Sequence, residues 1–152
     1  MQVKEIMTKE VISANEDTTI VEISKILEKH KFHGLPIVND NDELVGIVTE
    51  SDFFIKDMPE IFLPSYITFL KRVEVAQKLP RKQRKEYEGI LKAKAKDIMT
   101  KEVVSLLPES HINDLIKIFK ENKIHTVPII DNFRNLVGVV TQADVIRLLS
   151  GV

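Results

Sequence analysis

Two short turns hold the groups best suited to chemistry: Thr49-Glu50-Ser51-Asp52 and Thr141-Gln142-Ala143-Asp144. A hydroxyl followed three residues later by a carboxylate can do two things at a helix start. In a capping box, each side chain satisfies a backbone N–H of the first turn. Alternatively, the helix start points free N–H groups at a concavity and favours a phosphate. The carboxylate then accepts both hydroxyls of a ribose, as acidic residues do in dinucleotide folds. The motif alone leaves both readings open. A cap, however, needs only a class of residue, whereas Gly46, Val48, Thr49 and Asp52 recur identically as Gly138, Val140, Thr141 and Asp144.

The recurrence runs through most of the chain. Val3–Phe54 aligns with Ala95–Ile146 without a gap, the second copy lying 92 residues after the first. Lys4, Ile6, Met7, Thr8, Ser13, Ile20, Pro36, Leu44 and Val45 are among the residues that repeat unchanged. So do His33 and His125, each three residues before a proline. A lone histidine at a helix end is ordinarily a capping or solvated group, favoured by the negative helix pole. Here it falls where helix passes to strand, near the sheet edge that faces the same cleft. A metal site is not expected, although His30 precedes His33 by three residues, because Asn122 replaces it in the second copy and no third ligand has suitable spacing.

The elements that position these groups follow from local pattern. Val11-Ile12 and Val103-Val104 are short β-branched runs and predict short strands. A helix follows each, opened by Asp17-Thr18-Thr19 or by Glu109-Ser110, whose side-chain oxygens suit an N-cap. Ile112, Leu115, Ile116 and Phe119 form a stripe of helical period; Ile20, Ile23 and Leu27 do the same, with Ser24 in the fourth place. Leu35–Val38 and Val127–Ile130 then predict strands, with Pro36 and Pro128 suited to a strand start or edge. Asn- and Asp-rich turns lead to the strands Leu44–Thr49 and Leu136–Thr141. A final helix starts near Ser51 and near Gln142. The unit is β-α-β-β-α, about 50 residues long and too small to bury a core alone, so two copies should pack together.

Phe53–Lys94 separates the copies and is too long for an unstructured loop. Tyr66, Phe69, Leu70, Val73 and Ala76 share one helical face, between Pro64 and Pro80. With Ile61-Phe62-Leu63 this face either mediates association or folds back over one flank of the repeats. Arg81–Lys85 opens a second, shorter helix; Glu86 and Glu88 interleave with its basic residues and only Tyr87 offers an aromatic ring. That composition suits a solvated face better than a nucleic-acid surface.

Composition bounds the function classes. The 152 residues carry a formal net charge of −1, which argues against a dedicated surface for nucleic acid or anionic membrane. There is no cysteine, which excludes disulfides and thiolate catalysis. No apolar run is long enough to span a membrane, and no secretory signal is visible, so a cytoplasmic location is expected. No nucleophile–base set and no Gly-rich phosphate loop is present, so an enzyme is not expected.

The Ile-Met-Thr at the start of each copy, the His-x-x-Pro-Ile strand entry and the Gly-x-Val-Thr-x-x-Asp ending together resemble the cystathionine β-synthase (CBS) domain. Two copies look like a Bateman module. The resemblance implies an α+β fold of two CBS repeats (1–56 and 95–152) packed with pseudo-twofold symmetry, with a helical insertion (57–94) between them. It implies two clefts for adenosine-containing ligands, with Thr49, Asp52, Thr141 and Asp144 on the ribose and phosphate side. Backbone groups near Ser13 and Leu35, or near Ser105 and Val127, would flank the adenine, and Thr8 and Thr100 would line the clefts. His33 and His125 match a position that reaches phosphate in the gamma subunits of AMP-activated protein kinase. Where those subunits often carry an arginine next, this chain has Gly34 and Thr126, which leaves the phosphate side less positive. Ser51 against Ala143 also means the clefts need not bind equally.

The expected function is a regulatory module that senses AMP, ADP or ATP and signals to a regulated protein or through a homodimer. S-Adenosylmethionine, NAD(H) or a cyclic dinucleotide would also suit the family. The competing expectation is an interaction module without ligand sensing, assembled through the apolar insertion.

Overall fold

The computed structural model describes residues 1–53, 65–84 and 91–151. Its sheets form where burial alternates or is continuous. β1 (Ala14–Asn15) runs parallel to β2 (Gly34–Val38), with Ala14 opposite Ile37. β2 is buried along its whole length, while β3 (Leu44–Thr49) alternates buried and half-buried residues, the period of a strand with one face in the core. These two pair antiparallel, Leu35 opposite Val48 and Ile37 opposite Gly46. In the second repeat β4 (Thr126–Ile130) and β5 (Leu136–Thr141) keep the same register, Val127 opposite Val140 and Ile129 opposite Gly138. A single parallel bridge, Leu106 to Ile129, stands where β1 would be.

Both hairpin turns are tied by their first polar residue. The Asn39 side-chain oxygen accepts from the Asn41 and Glu43 N–H groups at 2.9 and 3.0 Å. Asp131 accepts from Phe133 and Asn135 at 2.8 and 2.9 Å. The Asn135 side-chain amide, with these N–H groups, holds the Asp131 carboxyl below the usual carboxylate range.

The parallel pairing falls at Ala14 and Leu106 rather than at Val11-Ile12 and Val103-Val104. Burial explains the displacement: Ala14 packs into the core at 7% exposure, whereas Ile12 and Val104 stay 40% exposed. β-Propensity alone did not place the strand.

Helix α1 (Ile20–His30) starts at Thr19, whose hydroxyl accepts from the Glu22 N–H at 3.3 Å. Ser24 is fully buried within its apolar stripe and donates to the Val21 carbonyl at 2.6 Å, so no polar atom is left unpaired there. α2 (Ser65–Lys78) and α3 (Arg81–Arg84) belong to the insertion. Phe69 and Val73 are buried in the first repeat's core, the Phe69 ring 5.4 Å from that of Phe53. Phe69 and Val73 of the insertion's apolar face are therefore folded back onto their own chain. Ile61-Phe62-Leu63 and Lys85–Ile90 lie outside the described residues, as do the side chains of Tyr66 and Ala76.

α4 (Ala95–Ile98) opens the second repeat. α5 (Ile112–Glu121) is capped by His111, not by the expected Ser110: His111 Nδ1 accepts from the Asn113 N–H at 3.1 Å. Ser110 instead accepts from the Leu107 N–H at 3.2 Å, closing the preceding turn. α6 (Gln142–Ser150) follows β5 directly. Among the described residues, no helix is long and apolar enough to cross a membrane.

The two repeats exchange their first segments. Thr8 forms an antiparallel bridge with Val139 of the second repeat, with N–H···O distances of 2.9 and 3.0 Å. Thr100 does the same with Ile47 of the first. Val3 and Lys4 donate to Ser110 and Pro108, and Ala95 and Lys96 to Thr18 and Glu16. Side chains follow the backbone. Val3 is buried with Leu115 and Val127, and Ala95 with Ile23 and Leu35. Each core is thus completed by the other repeat's lead.

The exchange explains two motifs together. A Cβ added at Gly46 would stand 2.8 Å from Met99 Cγ, and one at Gly138 2.6 Å from Met7 Sδ. The methionine of each Ile-Met-Thr lies across the glycine of the opposite Gly-x-Val-Thr, so the two residue types recur as one contact.

Candidate ligand clefts

The crossed leads bring each Thr-x-x-Asp turn into one cleft with a threonine from the other repeat. On one side Thr49 ends β3 and a short 3-10 turn, Glu50–Phe53, carries Asp52 back beneath it. Asp52 Oδ2 accepts from the Thr49 N–H at 2.8 Å, and its Oδ1 accepts from Thr100 Oγ1 at 3.3 Å. Thr49 Oγ1 and Ser51 Oγ lie 2.9 Å apart. On the other side Thr141 caps α6, and Asp144 Oδ2 accepts from both its N–H and its hydroxyl, at 2.8 and 2.9 Å. Asp144 Oδ1 faces Arg147 at 3.5 Å.

Capping and site readings are therefore compatible. In each turn one carboxylate oxygen serves the backbone, while the other is directed to a side chain at the long end of hydrogen-bond range, where a ligand hydroxyl can compete.

Each turn opens onto a cleft. The first, about 430 Å³, is lined by Thr49, Glu50, Ser51, Thr100, Glu102 and Val104, and by Lys123, His125 and Thr126 from the second repeat's β4 entry. The second, about 620 Å³, is lined by the matching Thr141, Gln142, Ala143, Asp144, Thr8, Glu10 and Ile12, with Lys31, His33 and Gly34. Both volumes lie in the range that small ligands occupy, roughly 300–1,000 Å³.

The clefts meet at the two histidines, which line both. Their rings are 5.0 Å apart and tilted by 37°. His33 Nδ1 stands 3.8 Å from Glu50 Oε1, and His125 Nδ1 3.1 Å from Gln142 Oε1. Gln142 also donates to the Ile124 carbonyl at 2.9 Å, which fixes its amide. Among the described residues, no group of His, Asp and Glu is disposed to hold a metal ion.

Thr8, Thr49, Thr100, Thr141, Asp144, His33 and His125 thus line the clefts, and Asp52 is bonded to two residues that do. The Thr49 turn meets Thr100 rather than Thr8, because the leads cross. Leu35 and Val127 are fully buried, and Ser13 and Ser105 half-buried; the cleft walls are formed by their neighbours Gly34, Thr126, Ile12 and Val104. Glu10, Glu102, Lys31 and Lys123 also line the clefts, although they belong to none of the motifs above. Their identical recurrence across the repeats was the available signal.

Two sheet-and-helix units around a pseudo-twofold pair of clefts define a class. The sequence model of the CBS domain matches residues 3–57 and 95–151, and the chain belongs to that family. Protein MJ1426 of Methanocaldococcus jannaschii is 31% identical, over 98% of this chain and 91% of its own length. The CBS domain pair of protein MJ0100, solved in complex with 5′-methylthioadenosine and S-adenosyl-L-methionine, superposes with a TM-score of 0.68 at 30% identity. The match covers 99% of this chain and 97% of that one. CBSX2, solved in complex with AMP, shares the fold with a TM-score of 0.71 at 20% identity, covering 99% and 96%.

Proposed function

We propose that the chain is a regulatory module that binds an adenosine-containing ligand in the clefts between its repeats, and that AMP, ADP or ATP is the nucleotide it senses. The observation that carries this reading is the pair of Thr-x-x-Asp turns, each sharing a cleft with a threonine from the opposite repeat. Such a turn offers a carboxylate oxygen for ribose hydroxyls and hydroxyl donors for a neighbouring anion. The 30%-identical MJ0100 pair, with two adenosyl compounds bound, supports the ligand class. Binding across the two repeats would favour one of their relative arrangements and shift its population. The output then passes to a regulated protein or through a homodimer. No catalytic role is assigned.

Asp52→Ala and Asp144→Ala test the reading by thermal unfolding with and without ligand. A ligand at 100 times its dissociation constant stabilises by about 2.7 kcal/mol, a rise of roughly 5–10 °C at this size. Loss of a charge-assisted ribose contact, worth about 1.5–3 kcal/mol, should reduce or abolish that rise. If both variants lose only the 0.5–2 kcal/mol or so of a helix cap and keep the full ligand shift, the carboxylates are caps alone and this reading fails.

A further inference from the structure

The two clefts repeat each other closely, so their few differences are informative. Thr8 and Thr100, Glu10 and Glu102, Lys31 and Lys123, and Asp144 and Asp52 correspond, and the histidines are common to both. At the clefts, two described residues, Glu50 and Arg147, lack a counterpart of like charge in the other repeat. Glu50 on the first wall is replaced by Gln142 on the second, and both face a histidine. Arg147 stands beside Asp144, whereas the sequence has Ile55 at the matching position after Asp52.

The consequence is electrostatic. One cleft is lined by Lys123, Glu50 and Glu102, with Asp52 bonded behind its wall to Thr49 and Thr100; the other is lined by Lys31, Glu10 and Asp144, with Arg147 paired to Asp144. Among the described residues, a phosphate entering the first cleft meets an excess of carboxylates, while at the second the cations balance them. Both differences act in the same direction.

We propose that the clefts are sorted by charge. The cleft of Thr141 and Asp144 takes a phosphate-bearing adenosine ligand, and the cleft of Thr49 and Asp52 takes an adenosyl ligand whose 5′ group is uncharged or cationic. Glu50 and Arg147 are the residues that set the difference. The inference rests on the adenosyl reading above and adds to it which chemistry each cleft accepts.

Titration calorimetry on the full chain with AMP and with 5′-methylthioadenosine, an uncharged thioether, tests it. AMP should bind at one site per chain, and Asp144→Ala should remove that site while Asp52→Ala leaves it. Arg147→Gln should lower the ratio of AMP to methylthioadenosine affinity by roughly three- to tenfold, the effect of one partly exposed charge on another a few ångströms away. Glu50→Gln should strengthen AMP in the other cleft by a similar factor, so that a second AMP is taken up. The sorting is overturned if Glu50→Gln leaves the AMP isotherm unchanged, or if Arg147→Gln weakens both ligands equally. Failure of both compounds, and of S-adenosylmethionine, to bind the unsubstituted chain would instead overturn the adenosyl reading itself.

Discussion

Substituting Gly46 by alanine tests the crossed leads that build both clefts. The new Cβ would lie 2.8 Å from Met99 Cγ and 3.1 Å from the Thr100 carbonyl oxygen. Carbon atoms in good contact are about 3.5–4.0 Å apart, so Met99 must move and the lead strand with it. Overpacking of this kind costs about 1–3 kcal/mol. The lower chain entropy of the unfolded state offsets about 0.4–1 kcal/mol of that. A net loss of about 1–2 kcal/mol corresponds to a fall in Tm of roughly 2–8 °C for a domain of this length. Gly138→Ala should cost less, because its nearest backbone atom, the Thr8 carbonyl oxygen, is 3.3 Å away. Met99→Ala should recover part of the Gly46→Ala loss, since it removes the side-chain clash and leaves the carbonyl. Thermal unfolding of the two single variants and the double variant measures this coupling. If Gly46→Ala is neutral and the cycle shows no coupling, Met99 does not lie across β3 and the crossed arrangement is wrong.

Two further outcomes concern stability. Lys96, 2.9 Å from Asp17, and Lys94 at 3.5 Å hold the Asp17 carboxyl below its ordinary pKa, and Asp17 raises that of Lys96. A lowered carboxylate contributes stability that is present above its unfolded value and lost as pH falls through the folded one. The advantage of the unsubstituted chain over Asp17→Asn should thus shrink as the pH falls below about 4; a Tm difference that stays constant through that fall would count against the ion pair. Phe69→Asp places a charge in the first repeat's core and should unfold the chain rather than dissociate an assembly, as circular dichroism beside sedimentation would register. Native dichroism with a reduced mass would mean that the α2 face is an interface after all.

Much of the fold was legible because the chain states it twice. Leu44–Thr49 and Leu136–Thr141 are strands at the expected residues, since alternation and turn chemistry agree there. Thr19 caps α1 as its type suggests. The short parallel strand was misplaced because two β-branched residues carry too little signal against the burial of Ala14. His111 was passed over as a cap because a histidine does the work usually left to a hydroxyl. The crossed leads were not legible at all: which strand Thr8 joins is a long-range pairing, and local pattern carries no record of it. Asp52 and Asp144 were singled out by their recurrence, while the cleft lysines, repeated just as faithfully, belong to no familiar motif.

The exchanged leads also bear on why two copies share one chain. Neither repeat lays its Ile-Met-Thr segment on its own strand and glycine; each lies on those of the other copy. Two identical chains could make the same exchange as a reciprocally swapped dimer, but its clefts would be forced to match. Joining the copies through residues 54–94 makes the association independent of concentration, and it releases them from symmetry. Only then can glutamate stand in one wall and glutamine in the other.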